Sequence, residues 1–241
     1  MPRAREGSGA PDRPRRSRHL TILDSVSQRR YRSLSRCMPK FPEPPPPEEL
    51  EGIAPDVVSL AVDTRLWRVY FRGGPHPVTW NAFRAYGPTK NRFDHHAPPA
   101  RRCVLYTAAL VPTCIAEFFQ ETRTIDRARR EPWLVGFRLV RSVTLLSLRG
   151  NWPTRAGASM AINSGLKARA RRWSRAIHSA FPQVEGLLYC SSMDANEPAI
   201  AMYERAESAL AHAPDLNKPL SDPDLRPVLE QAALQFGYFL L

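Results

Sequence analysis

The chain has 241 residues, enough for one sizeable domain or two small ones. No run of 18 apolar residues occurs, which excludes a membrane-spanning helix, and four cysteines without a C-x-x-C pair argue against a disulfide framework. Of the formal net charge of +12, eight charges sit in residues 1–40, where eleven Lys and Arg face Glu6, Asp12 and Asp24, so the remainder is only mildly basic.

Residues 1–52 read as a disordered basic and Pro-rich N-terminal arm and linker. Arg, Ser and Pro dominate there, and apolar side chains are too few to offset the entropy of ordering. Pro42 and Pro44 to Pro47 favour extended polyproline geometry and exclude helix or central strand. A short apolar patch, Leu20 to Leu23, is the one helix start expected in this arm. A solvated tail is the simplest account of its arginines, with weak contact to nucleic-acid phosphates through residues 1–40 as the alternative.

Order is expected from 53 to 241. Val57 to Val62 and Leu66 to Phe71 read as strands, and Arg72 to Lys90 as loop. Cys103 to Thr107 is a compact apolar strand. The helix after it has Pro112 in its first turn and Ile115, Phe118 and Phe119 at helical spacing. Trp133 to Leu139 and Val143 to Leu148 read as strands. Gly165 to Ala180 is the clearest helix: Leu166, Ala170, Trp173 and Ile177 mark one face, and Ser164 is the expected N-cap. Gly186 to Cys190 reads as a strand, and Ala199 to Tyr203 is ambiguous. Asp222-Pro223 opens a C-terminal helix with Leu225, Val228, Leu229, Ala232 and Phe236 on one face. Short strands mixed with a few helices predict an α+β (α/β mixed) domain.

Five places carry polar groups that need explaining. Arg68 interrupts an apolar strand, and a guanidinium there calls for an anion, unless the residue faces solvent. Arg92 follows a Gly/Pro-containing loop; a phosphate clamp and a surface turn with Asp94 both fit. Glu117 lies in an otherwise apolar helix, either buried for use or on a solvent face. Ser191 and Ser192 end a buried strand, a common place for ligand contacts. His95 and His96 are adjacent, so their side chains point apart on extended chain, and no metal site is expected.

Taken in order, these pieces resemble the RES domain family, named for an Arg, a Glu and a Ser. The pieces are Leu66-Trp67-Arg68-Val69-Tyr70, then Tyr86-Gly87 with Arg92-Phe93-Asp94, then Val104 to Thr107 with Tyr106, then Ala116-Glu117, then Gly186 to Ser191. The resemblance covers about residues 55–235, and Ser191 is favoured over Ser192 by its distance from Tyr189. It implies an ADP-ribosyltransferase-like fold and a toxin that degrades NAD by phosphorolysis or hydrolysis, while the cysteines in apolar runs read as buried free thiols of a reducing cytoplasm. It also implies an antitoxin partner with a helix-turn-helix DNA-binding part. The catalytic residues it implies are Arg68, Glu117 and Ser191. NAD would be a substrate, not a cofactor, held by Arg68, Arg92, Tyr106 and Ser191, with inorganic phosphate as co-substrate in phosphorolysis. The competing expectation is a nucleic-acid- or partner-binding protein that uses the arm and has an inactive RES-like domain.

Overall fold

The computed structural model describes residues 44–96 and 101–241. Most of the expected arm, and the expected helix start at Leu20 to Leu23, lie outside them.

Ten strands are described: β1 (Val57–Leu60), β2 (Arg65–Phe71), β3 (Val104–Ala108), β4 (Thr124–Ile125), β5 (Pro132–Arg138), β6 (Val143–Ser147), β7 (Gly186–Cys190), β8 (Pro198–Tyr203), β9 (Leu216–Pro219) and β10 (Phe239–Leu240). The α-helices are α1 (Val111–Phe118), α2 (Trp152–Arg155), α3 (Lys167–Ala180) and α4 (Arg226–Phe236). Helices and one mixed sheet make the α+β class expected from the sequence. Among the described residues, eight strands form a sheet in the order β1-β6-β7-β8-β3-β2-β5-β9, and β4 pairs separately with β10. Only β6–β7 is parallel within the large sheet.

The sheet is nearly cut in two between β3 and β2, which share the single pair Trp67–Ala108. The two halves face each other across one buried cluster. Leu66, Tyr70, Val135 and Phe137 come from the β2/β5 half, and Leu105, Leu145, Ile200 and Met202 from the other. Each half carries helices on its outer face. Trp173, Ala170 and Ile177 of α3 pack over Leu187, Tyr189, Ala199 and Ala201. Cys114 and Ile115 of α1 and Leu229 and Ala232 of α4 pack over Val69 and Leu134. Alternating side chains thus serve two cores, as period-two strands buried on both faces must. No helix among the described residues is long and apolar enough to cross a membrane.

Two glycines let these layers close. A Cβ on Gly186 would stand 2.6 Å from the Ala201 carbonyl oxygen, so the start of β7 must be bare for β8 to lie alongside. A Cβ on Gly136 would stand 2.5 Å from the Trp67 ring, which lies across that position from the neighbouring strand.

Several local expectations change. Ser164 does not cap α3: the helix begins after Leu166, which supplies no side-chain cap. At the C-terminal helix, Asp222 accepts from the Asp224 amide and caps a 3-10 turn over Pro223–Leu225, and α4 follows it. Packed structure also begins before Ile53. Leu50 is buried in the α3-side core, and the Pro44 carbonyl accepts a hydrogen bond from Trp173 Nε1 at 3.1 Å. A proline-rich stretch has few amide donors to satisfy, so it can lie along a helix and offer carbonyls instead. The three described cysteines, Cys103, Cys114 and Cys190, are buried free thiols.

Candidate active site

The site begins with α1. Leaving β3 at Ala108, the chain turns through Leu110 and enters the helix with Pro112 in the first turn, where a missing amide costs nothing. Four successive residues, Thr113 to Ala116, are buried, so the helix is enclosed at its middle. Glu117 follows, half-buried, in the last turn.

Its carboxylate meets the end of β7. Ser191 Oγ donates to Glu117 Oε1 at 2.6 Å, and the Ser192 backbone N–H donates to the same carboxylate. The direction of the first bond is fixed by counting. A hydroxyl has one proton and two acceptor sites. Both acceptor sites of Ser191 are taken, by the amides of Met193 (3.2 Å) and Asp194 (3.1 Å), so its proton is committed to Glu117. Of the two adjacent serines, Ser191 brings its side chain and Ser192 only its amide; the Ser192 side chain is exposed. The turn that follows holds Ala195 and Asn196 at φ of 41° and 67°, the left-handed region that is costly for alanine.

Burial pushes the Glu117 carboxyl above its ordinary range, opposed by the Ser191 hydrogen bond, the charge of Arg92, the Ser192 amide and the charge of Lys167. Tyr189, on the same strand as Ser191, is buried, and its phenol is driven well up by that burial and by the negative Glu117.

Arg92 reaches the site from the loop before β3. Its guanidinium donates to the Gly165 carbonyl at 2.7 Å and acts electrostatically on both Glu117 and Tyr189. Asp94 builds this loop. Its Oδ2 accepts the amides of Lys90 and Asn91 (both 2.9 Å) and Arg84 Nε (3.2 Å). Its Oδ1 accepts the Tyr106 hydroxyl at 3.0 Å, and that hydroxyl accepts the Phe93 amide at 3.0 Å. Tyr106 therefore spends its polar atom anchoring the loop that carries Arg92. Phe93, fully buried, packs edge-on against Tyr189 with ring centroids 4.9 Å apart.

Arg68 stands on the β2 face that carries Leu66 and Tyr70. Its Nη1 donates to the carbonyls of Trp80 (2.8 Å) and Ala82 (2.9 Å), so it braces the loop after β2. Its hydrogen-bond partners do not include Glu117 or Ser191. Burial pushes the Cys114 thiol, one turn before Glu117, upward, with the charge of Arg68 opposing and that of Glu117 assisting. Burial pulls the guanidinium down to about 10, against the fields of Tyr86, Cys114 and Tyr70, so it remains charged at neutral pH.

A second polar cluster backs the Arg92 loop. His95 and His96 point apart: His96 Nε2 meets the Gly87 carbonyl (3.1 Å), while His95 turns toward His178 and Glu204. Among the described residues, His95, His178 and Glu204 are the group whose possible metal-ligand atoms lie within 4.8 Å of one another. An Arg205 Nη2 lies 3.3 Å from His178 Nδ1, which assigns that nitrogen the acceptor role. His178 Nε2 then carries the proton it gives Glu204 at 2.6 Å, where a metal would need a lone pair. The cluster is thus a hydrogen-bonded brace. Burial lowers His95, with the Glu204 hydrogen bond opposing and the neighbouring His178, once protonated, assisting. Burial alone would raise Glu204, but donors from His178, His95 and the Cys103 amide outweigh it and hold the carboxyl below its usual range. Both shifts have the same sign for stability, because the unfolded chain binds more protons on acidification. Stability is expected to be full above about pH 6.5 and to fall as acid titrates first His95 and then Glu204. Urea midpoints measured from pH 7 to 5 should decline, and His95→Gln should flatten that decline.

Arg68, Arg92, Glu117 and Ser191 were legible as candidates; Asp94, Asp194 and Glu204 were not singled out for the contacts they make here. No curated protein matches the sequence. Among solved structures, the chain is similar to one in the crystal structure of the M. tuberculosis MbcT-MbcA toxin-antitoxin complex, at 13% identity and a TM-score of 0.48, covering 70% of this chain and 92% of that one. The family model described as RES domain matches residues 65–226, well over half of the sequence and inclusive of Arg68, Arg92, Tyr106, Glu117 and Ser191. The chain belongs to the RES domain family.

Proposed function

We propose that this chain is the toxin of a toxin-antitoxin system, and that residues 53–241 act as its catalytic domain, cleaving the nicotinamide–ribose bond of NAD with phosphate or water as acceptor. The observation that carries the reading is the half-buried Glu117 carboxylate, held by Ser191 Oγ and the Ser192 amide beside the charge of Arg92. Membership of the RES family supports the toxin class. The buried free thiols of Cys103, Cys114 and Cys190 suit the reducing cytoplasm, where NAD is found. The partner is an antitoxin with a helix-turn-helix DNA-binding part, and NAD is substrate, so no cofactor is required.

The chemistry follows from the leaving group. Nicotinamide departs neutral from a cationic nitrogen and needs no general acid, so one carboxylate suffices where ordinary glycosidases use two. The bond from ribose carbon to nicotinamide nitrogen breaks, and its electron pair leaves with nicotinamide. Positive charge then spreads over the ribose carbon and ring oxygen, and Glu117 stabilises it while accepting from ribose hydroxyls. An acceptor oxygen bonds to the same carbon. Phosphate dianion needs no deprotonation, whereas water gives its proton to Glu117 or solvent. Ser191, with its proton on Glu117, keeps the carboxylate ionised and aimed.

Arg92 grips the pyrophosphate, and the loop anchored by Tyr106 and Asp94 holds it there. Tyr106 offers its ring face to the ribose or nicotinamide. Arg68 has Nε and Nη2 donors beyond the two carbonyls it braces, and these serve the pyrophosphate or the incoming phosphate.

Purified full-length protein incubated with NAD should release nicotinamide, read by chromatography. Product identity with and without phosphate, a 1-phosphorylated ADP-ribose or free ADP-ribose, separates the two acceptors. Folded protein that leaves NAD intact under both conditions overturns the reading.

A further inference from the structure

Thr113 and Glu117 are four residues apart on α1 and so share one face. Each makes a short hydrogen bond to the same turn after β7. Glu117 Oε1 accepts Ser191 Oγ at 2.6 Å, and Thr113 Oγ1 donates to Asp194 Oδ2 at 2.7 Å. The two contacts form parallel rungs between helix and turn. Asp194 also reaches the first rung through its backbone, because its amide donates to Ser191 Oγ at 3.1 Å. A third tie comes from α4, where Gln235 Nε2 donates to Asp194 Oδ1 at 3.3 Å. Thr113 is fully buried and Asp194 nearly so, at 7% exposure. Among the described residues Asp194 has no ion-pair partner, so its buried carboxylate depends on its hydrogen-bond donors to offset desolvation.

We propose that Asp194 is a positioning residue for Glu117: clamped to Thr113 and Gln235, it holds the turn of residues 191–197 against α1 so that Ser191 keeps its proton on the Glu117 carboxylate. The role of Glu117 in catalysis rests on the proposed NAD cleavage, but the clamp itself does not. If Asp194 is cut back, the turn swings away from α1 and the Ser191 hydroxyl is free to turn elsewhere. Glu117 then keeps its burial and loses its best donor, which moves its ionisation to higher pH. A residue serving only the fold would lower the melting temperature and leave that titration where it was.

The test is a carboxyl 13C NMR titration of Glu117 in full-length protein, wild type against Asp194→Ala, with melting curves to establish that both are folded. Glu117 should titrate about one pH unit higher in Asp194→Ala, the size expected for one lost hydrogen bond to a charged group. Asp194→Asn keeps an oxygen for the Thr113 hydroxyl and should restore the wild-type titration. Thr113→Val keeps shape and removes only the donor; it should reproduce the Asp194→Ala result and serves if that variant is unfolded. A Glu117 titration unmoved in folded Asp194→Ala or Thr113→Val overturns the proposal. Where NAD turnover is present, kcat should fall 10- to 100-fold in Asp194→Ala with KM within about threefold, and the acid limb of the rate profile should rise in step. Absence of turnover in the wild type would overturn the NAD reading and leave the titration to decide the clamp.

Discussion

Glu117→Gln is expected to reduce nicotinamide release from NAD by about 10²- to 10³-fold in kcat, with KM for NAD changed little. The substitution is nearly isosteric, so the loss would measure charge. A neutral amide cannot stabilise the cationic ribose at the transition state, and its NH2 group adds a donor to a group that only accepted, from Ser191 Oγ and the Ser192 amide. Ground-state contacts to the rest of the dinucleotide are untouched, which is why the effect belongs in kcat. The fold should not suffer. Removing a carboxylate whose burial already pushes it above its ordinary range relieves desolvation and offsets the weakened bond from Ser191. The same upward displacement predicts that wild-type activity falls off on acidification at a pH above the usual glutamate range, because the protonated acid cannot serve. Initial rates across pH 4 to 8, with melting curves of both proteins, decide the matter. Turnover in Glu117→Gln within threefold of wild type would remove the carboxylate from the mechanism.

The largest stability effect is expected at Phe93. Its ring is fully buried between α3 and the sheet, and Phe→Ala at such a site costs about 3–5 kcal/mol. That is a large share of a typical domain's stability of about 5–15 kcal/mol and corresponds to a melting point lower by roughly 6–20 °C. The damage would also be functional. The Phe93 amide is held by Tyr106, its carbonyl accepts Ser174 Oγ at 3.0 Å, and its ring braces Tyr189. Its neighbours Arg92 and Asp94 would lose their common footing. Phe93→Ala, assayed well below its melting point, should raise KM for NAD more than it lowers kcat, and Phe93→Leu should recover most of both losses. A variant that melts as wild type does would show that the ring is not a keystone of this loop.

The elements that were readable in the sequence are those whose burial repeats along the chain itself. α3 shows its face through Ala170, Trp173 and Ile177, and β2, β5 and β6 stand out by apolar content. β8 was ambiguous for a physical reason. Five of its six residues are buried because cores lie on both its faces, so no period survives. β9 was missed because Leu-Asn-Lys-Pro at a half-exposed edge has neither apolar content nor alternation. Composition does not reveal that Leu50, at the end of a Pro- and Glu-rich stretch, finds a place in the α3 core. At the site, residue types and order could be read, but contacts could not. Whether Glu117 faced solvent or protein depended on a partner 74 positions away, and Asp194 gained its role from Thr113, 81 positions away. Such pairings are decided by strand order, which local patterns do not encode.

That strand order has a temporal side. β8 lies between β7 and β3, and α1 grows directly out of β3. During translation the serine and the glutamate are therefore expected to settle together only after β8, ending at Tyr203, has emerged and paired on both edges. Nascent chains that end between Ser191 and Pro198 hold Glu117 and Ser191 without the strand that joins β7 to β3. Assembly of the carboxylate cradle is thus tied to a strand that follows both of its residues in the chain.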